Sequence, residues 1–201
     1  MSRRVGFFGP FGTFTQQALL SQPDLLDAEH VAYRTVPDVL DAVTSGEVDV
    51  GVVPIENSIE GMVNFTQDAL AFDHDLLIVR EIVIDIEHCL LARPGVVLDD
   101  IRAVYSIPVA TAQCHRYLRE QLPDAEIRGA YSTADAAKQV AESDAVDAAA
   151  LGPRVAAEVY GLDVVASDIA DHDGNQTRFV IVARDGVPAP TGNDKTALVI
   201  Y

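Results

Sequence analysis

Short apolar runs alternate with helix-like stretches along nearly the whole chain, and this alternation limits the fold more than any other feature. Residues 5–8 read as a strand and 13–20 as a helix, whose Thr13 and Gln16 have the spacing of a capping box. A strand over 31–36 and a helix over 37–44 follow, with Pro37 in the first turn and Gly46 past the end. Residues 48–53 read as a buried strand stopped by Pro54, and 62–72 as a helix. After residue 95 the order is strand 103–106, helix 109–121, strand 126–130 and helix 133–141. A strand over 148–151, a helix over 153–160 and strands over 163–166 and 177–183 complete it. Such repetition predicts an α/β fold with mostly parallel sheet covered by helices.

One stretch departs from the rhythm. Residues 76–92 form a long β-branched run, whereas a typical strand has about 5–6 residues. It reads as two strands, or as one strand passing between lobes. The simplest arrangement is two α/β lobes with a central cleft, the last strand rejoining the first lobe. Lobe one then spans about 1–80 plus 177–185, and lobe two about 81–176, within a domain over 1–185. Residues 186–194 are a linker by their glycine and proline content, and 195–201 begin a fresh apolar strand.

Of the 201 residues, 49% are hydrophobic, enough to bury a substantial core. The formal net charge of −17 argues against nucleic acid and anionic membrane surfaces as partners. A small anionic ligand stays open, because screening confines exposed charges to about 8 Å at physiological salt. The apolar run after Arg3 and Arg4 breaks at Gly9-Pro10, too short for a signal-peptide core, and no stretch approaches a membrane span. Cys89 and Cys114 make no disulfide framework, so a cytoplasmic location is expected.

Several loops carry chemistry. Residues 9–15, Gly-Pro-Phe-Gly-Thr-Phe-Thr, join a strand to a helix, where free N–H groups suit an anion as well as a tight turn capped by Thr13. Residues 54–61 follow a strand, and Asn57 and Ser58 there can both donate and accept; alternatively Ser58 caps the next helix. Ser106 ends a strand and Pro108 opens a helix, with Gln113 two turns on, lining the cleft or tying elements together. Around Thr177, a hydroxyl, a guanidinium and an aromatic ring follow one another in Asn175-Gln176-Thr177-Arg178-Phe179. His88-Cys89 and Cys114-His115 make a weak metal signal, since adjacent residues of a strand point to opposite faces. The acidic stretch 171–175 has its glycine too early for a calcium loop.

Together these motifs resemble the catalytic domain of the prephenate dehydratase family over essentially the whole chain. The resemblance rests on residues 9–15, Pro54-Ile-Glu-Asn-Ser58 with Gly61, His88-Cys-Leu90, Ala112-Gln-Cys114, Tyr160-Gly-Leu162 and Asn175-Gln-Thr-Arg-Phe179. It implies two α/β lobes similar to type II periplasmic binding proteins. It also implies conversion of prephenate to phenylpyruvate, with loss of carbon dioxide and water, in phenylalanine biosynthesis. Thr177 resembles the family's catalytic residue, donating to the departing ring hydroxyl. Asn57, Ser106 and Gln113 match positions of substrate contact, and Thr13 the loop at the cleft mouth. Ser58, Arg178 and Phe179 are expected to bind substrate too, Arg178 by holding a carboxylate or by bracing the cleft. Ile107 stands where the family often has histidine, so no imidazole role carries over there.

No metal or organic cofactor is implied. The resemblance implies a homodimer, and a C-terminal ACT domain that binds phenylalanine, of which 195–201 would be the first strand and the rest would be missing. Two other readings stand beside it. A non-catalytic binding module would share the fold but give Thr177 no special duty. An arogenate dehydratase would do the same chemistry on an amino acid in place of a keto acid, favoured by an acidic residue near the side-chain carbonyl end, for which Glu56 and Glu60 are the candidates.

Overall fold

The alternation closes into two sheets in a computed structural model that describes residues 3–196. The first sheet takes β1 (Arg4–Phe8), β2 (Glu29–Tyr33), β3 (Val50–Asn57), the short β4 (Gly61–Met62) and β5 (Leu77–Asp85). Helices α1 (Phe14–Leu20), α2 (Val36–Ser45) and α3 (Asn64–Asp68) lie between them. The chain crosses into a second sheet built from β6 (Cys89–Ala92), β7 (Ala103–Ser106), β8 (Glu126–Gly129), β9 (Ala148–Gly152) and β10 (Asp163–Ala166). Its helices are α4 (Pro108–Gln113), α5 (His115–Gln121), α6 (Thr133–Glu142) and α7 (Arg154–Tyr160). Finally β11 (Gln176–Ala183) returns to the first sheet.

The strand orders are β2-β1-β3-β11-β5, with β4 on β3, and β10-β6-β9-β7-β8. Within each sheet, the strand by which the chain arrives from the other sheet is inserted against the grain. Thus β11 is antiparallel to β3 and β5, and β6 is antiparallel to β9 and β10. The long run over 76–92 is therefore two strands in two sheets, with β5 holding to the first sheet as far as Asp85.

Both faces of β11 are covered, which is why it reads as a continuous apolar run. Phe179 and Ile181 join Phe7, Leu19 and Val52 beneath α1, while Val180 and Val182 join Val39, Val43 and Val53 beneath α2. Burying each such side chain contributes about 1.5–3 kcal/mol relative to exposure. Thr177 has the parity of Phe179, so it extends the α1 face to the strand's beginning. In the second sheet, β6 likewise splits its residues between Leu90 under α4–α5 and Cys89 and Leu91 under α6–α7.

Three expectations need correction. Pro54 does not stop β3, which runs on to Asn57. Phe179 pairs with Pro54 and Arg178 with Glu56, leaving Ile55 as an extra residue. A bulge of this kind lets a ladder continue past a proline that has no N–H to give. Met62 belongs to β4 opposite Glu56, so the helix expected over 62–72 starts only at Asn64 and ends in a wide π-type turn over Ala69–Asp73. The helix expected over 109–121 breaks at Cys114 into α4 and α5. There the Asp171 carboxylate accepts from the Arg116 backbone N–H, at 3.0 and 3.1 Å, capping α5, and the Asp171 N–H donates to the Gln113 carbonyl at 2.7 Å.

The capping-box reading of Thr13 holds in half. Its Oγ1 accepts from the Gln16 N–H, but the Gln16 side chain reaches past Thr13 to the N–H of Gly12. Among the described residues no helix is long and apolar enough to cross a membrane. Of the strand expected over 195–201, residues 197–201 lie outside the described residues.

Candidate active site

The bulge in β3 brings Asn57 directly opposite Thr177 across the ladder. Asn57 Oδ1 accepts from the backbone N–H groups of Ile59 and Glu60, both at 2.9 Å. Those groups can only donate, so they fix which way the amide faces. Its Nδ2 must then point at acceptors, and it meets Thr177 Oγ1 at 2.8 Å, Asn175 Oδ1 at 2.8 Å and the Gln176 carbonyl at 3.1 Å. Thr177 Oγ1 therefore accepts from Asn57, and its own proton is left for another partner. Thr177 is buried, 9% exposed.

From Asn175 the network passes to the second lobe. Asn175 is 4% exposed, and its Nδ2 donates to Gln113 Oε1 at 3.1 Å. Gln113 Nε2 donates back across the junction to Glu60 Oε1 at 3.2 Å. Gln113 Oε1 also meets His88 Nε2 at 2.9 Å. His88 sits on the link between β5 and β6, 3% exposed, with its ring edge-to-face against Phe14 of α1 at 5.6 Å. Burial holds its imidazole below the ordinary value, opposed only in part by the bond to Gln113. Ser58 ties the returning chain down: its N–H donates to the Gln176 carbonyl, its Oγ donates to the Gly174 carbonyl, and it accepts from the Gln176 N–H.

Close packing holds the turn before α1 against the second lobe. Tyr160 of α7 donates to the Phe11 carbonyl at 2.9 Å. Gly12 has φ +86°, and a Cβ there would meet the Tyr160 ring at 2.9 Å and Ala156 Cα at 3.3 Å. Only glycine fits both the left-handed backbone and that approach. A hollow of about 550 Å³ lies elsewhere, lined by Tyr33, Asp38, Asp41 and Glu47 among others. Its carboxylates make it a poor host for an anion.

A family model of prephenate dehydratase matches residues 5–187. The chain belongs to the prephenate dehydratase family. Prephenate dehydratase of Mycobacterium marinum is 39% identical over 98% of the chain, which spans 65% of that relative's length. The structure of prephenate dehydratase from Arthrobacter aurescens in complex with L-Phe is 43% identical, with a TM-score of 0.86 over 94% of this chain and 63% of that one. GqqA, described as a novel type of quorum quenching acylase, aligns with a TM-score of 0.82 at 29% identity, over 94% of this chain and 66% of that one. The chain thus spans less than two thirds of the length of the curated relatives it matches first.

Set against the motifs of the prephenate dehydratase family, the structure gathers some expected residues and separates others. Thr177, Asn57, Ser58 and Gln113 form one network. Thr13 caps α1 beside Phe14, one residue from the ring that touches His88. Ser106, 1% exposed, ends β7 and donates to the Leu151 carbonyl at 2.8 Å. Phe179 is 2% exposed within the first core. Arg178 lies on the face of β11 opposite Thr177 and pairs with Glu56 at 3.0 Å and Glu81 at 3.4 Å. Two residues that motif reading left out of the site are part of the network: Asn175, inside the motif that singled out Thr177, and His88, inside the motif His88-Cys-Leu90.

Proposed function

We propose that the protein is a prephenate dehydratase, converting prephenate to phenylpyruvate, carbon dioxide and water, with Thr177 donating to the departing ring hydroxyl. Family membership supports the reaction. The observation that carries the role of Thr177 is its bond from Asn57, which occupies the hydroxyl oxygen as an acceptor and leaves the proton for a substrate oxygen. A threonine hydroxyl is a weak acid, so ordinary general-acid catalysis is a poor description. Here the bond to the leaving carboxylate breaks, its electron pair enters the ring, and the ring becomes aromatic as the hydroxyl departs and takes a proton to become water. The site needs to hold the reactive geometry and stabilise developing negative charge on that oxygen.

Gln113 and Asn57 belong to the substrate-facing set in this reading, with Ser58 holding the chain that carries Thr177. Arg178, committed to Glu56 and Glu81, braces the far side of the strand. The carboxylate that leaves loses charge in the transition state, so tight ion pairing to it would oppose catalysis. An acylase activity has no comparable support. Both thiols are pushed up by burial, Cys89 to about 11 and Cys114 to about 12, and the partner of the Thr177 hydroxyl is an amide, not a base.

Arogenate is a second reading, favoured by one observation: the Glu60 carboxylate sits in the network and would suit an ammonium group. A homodimer and a cytoplasmic location complete the proposal. The test is phenylpyruvate formation from prephenate by this chain beside a folded Thr177→Ala variant, with arogenate run in parallel. Turnover of prephenate that collapses in the variant is expected. Turnover of arogenate alone would select the second reading, and turnover of neither by a folded chain would reject both.

A further inference from the structure

We propose that His88 is a positioning residue for this reaction, holding Gln113 through its Nε2–H and, by way of Asn175 and Asn57, setting the hydroxyl of Thr177. The inference rests on the activity proposed above. Every step is forced by which atoms can donate. The Ile59 and Glu60 N–H groups orient Asn57, and Asn57 Nδ2 then fixes Asn175 Oδ1 as an acceptor. Asn175 Nδ2 must donate, so Gln113 presents Oε1 to it and turns Nε2 to the Glu60 carboxylate. Since His88 Nε2 faces that same Oε1, the hydrogen of a neutral imidazole has to sit on Nε2.

This leaves His88 Nδ1 as a bare acceptor, buried with no hydrogen-bond partner among the described residues. Leaving such a group unpaired costs at least as much as one neutral hydrogen bond contributes. A phenyl ring would keep the edge-to-face contact with Phe14 without that cost. Stability alone therefore gives no reason for an imidazole here. What the imidazole supplies, and a phenyl ring does not, is a second donor on Gln113 Oε1. That donor clamps the side chain that reaches across the junction to Glu60.

The test compares His88→Phe, which removes the donor, with His88→Gln, whose Nε2 can take the place of the imidazole Nε2. Slight misplacement of reacting groups can cost about a hundredfold. His88→Phe is expected to lower kcat/KM for prephenate about ten- to a hundredfold while melting at or above the wild-type temperature, and His88→Gln is expected to recover most of the loss. Nitrogen NMR of the wild-type chain, with His88 assigned from either variant, should show Nε2 protonated and Nδ1 bare. Wild-type turnover by His88→Phe, equal losses in both variants, or a proton on Nδ1 would overturn the inference. A wild-type chain inactive on prephenate but with the expected tautomer would fault the assigned reaction and leave the hydrogen-bond polarity standing.

Discussion

The two crossover strands occupy matching places in their sheets, yet only one carries a polar pair. β11 arrives in the first sheet with Thr177 opposite Asn57 of β3, and β6 arrives in the second with Cys89 opposite Gly152 of β9. Both are antiparallel insertions between parallel neighbours, and both are buried on two faces. The topology therefore supplies two equivalent positions, and the side chains decide which one offers polar chemistry. At β6 the paired positions hold a buried thiol and a residue with no side chain. At β11 they hold a hydroxyl and an amide whose orientation two backbone N–H groups dictate. The second lobe contributes through Gln113 and His88, which reach the pair from outside the ladder.

The largest expected effect tests what the strands share. Phe179→Ala, in the core beneath α1, should destabilise the chain by about 3–5 kcal/mol, read by urea denaturation. Leu91→Ala on β6, wholly buried, should cost about 2–5 kcal/mol. A small change in either would mean that the strand is not packed as described.

A smaller effect separates the lobes by pH. Because burial holds the folded His88 below the ordinary value of 6.5, the unfolded chain takes up that proton more readily. The neutral ring's contribution is complete above about 6.5 and is lost as pH falls from there toward the lower folded value. The melting temperature of the wild-type chain should fall more steeply between about pH 7 and about pH 5.5 than that of His88→Phe. Parallel curves would contradict the buried neutral ring.

The smallest change is expected on the outer face of β11. Arg178→Ala removes ion pairs between side chains 29–41% exposed and should cost less than about 1 kcal/mol. Its turnover should fall far less than that of a Thr177 variant. A comparable loss would bring Arg178 back into the site.

Much of this was legible before the structure. Strand and helix order follows from apolar periodicity, and the family motifs brought Thr177, Asn57 and Gln113 into view. The misses have physical causes. Pro54 looked like a stop because a bulge that skips its missing N–H cannot be read from one strand alone. The helix over 109–121 gives no local sign of its break at Cys114, since the cap comes from Asp171, distant in sequence. Arg178 and Phe179 adjoin Thr177 in sequence, yet strand alternation puts Arg178 on the other face, where it pairs with Glu56 and Glu81. His88 lies in a family motif, but its partner, Gln113, lies on another element, so no local pattern joins them.

The most direct test is a double-mutant cycle on the pair, measuring kcat for prephenate with Asn57→Ala, Thr177→Val and the two combined, each checked for folding. Thr177→Val should lower kcat by about 10²–10³-fold, the loss typical of one donor aimed at a developing negative charge. If Asn57 works by orienting that hydroxyl, the double variant should be about as slow as Thr177→Val alone. Losses that simply multiply, or a Thr177→Val chain as fast as wild type, would contradict a hydroxyl held by Asn57 as the group that meets the leaving oxygen.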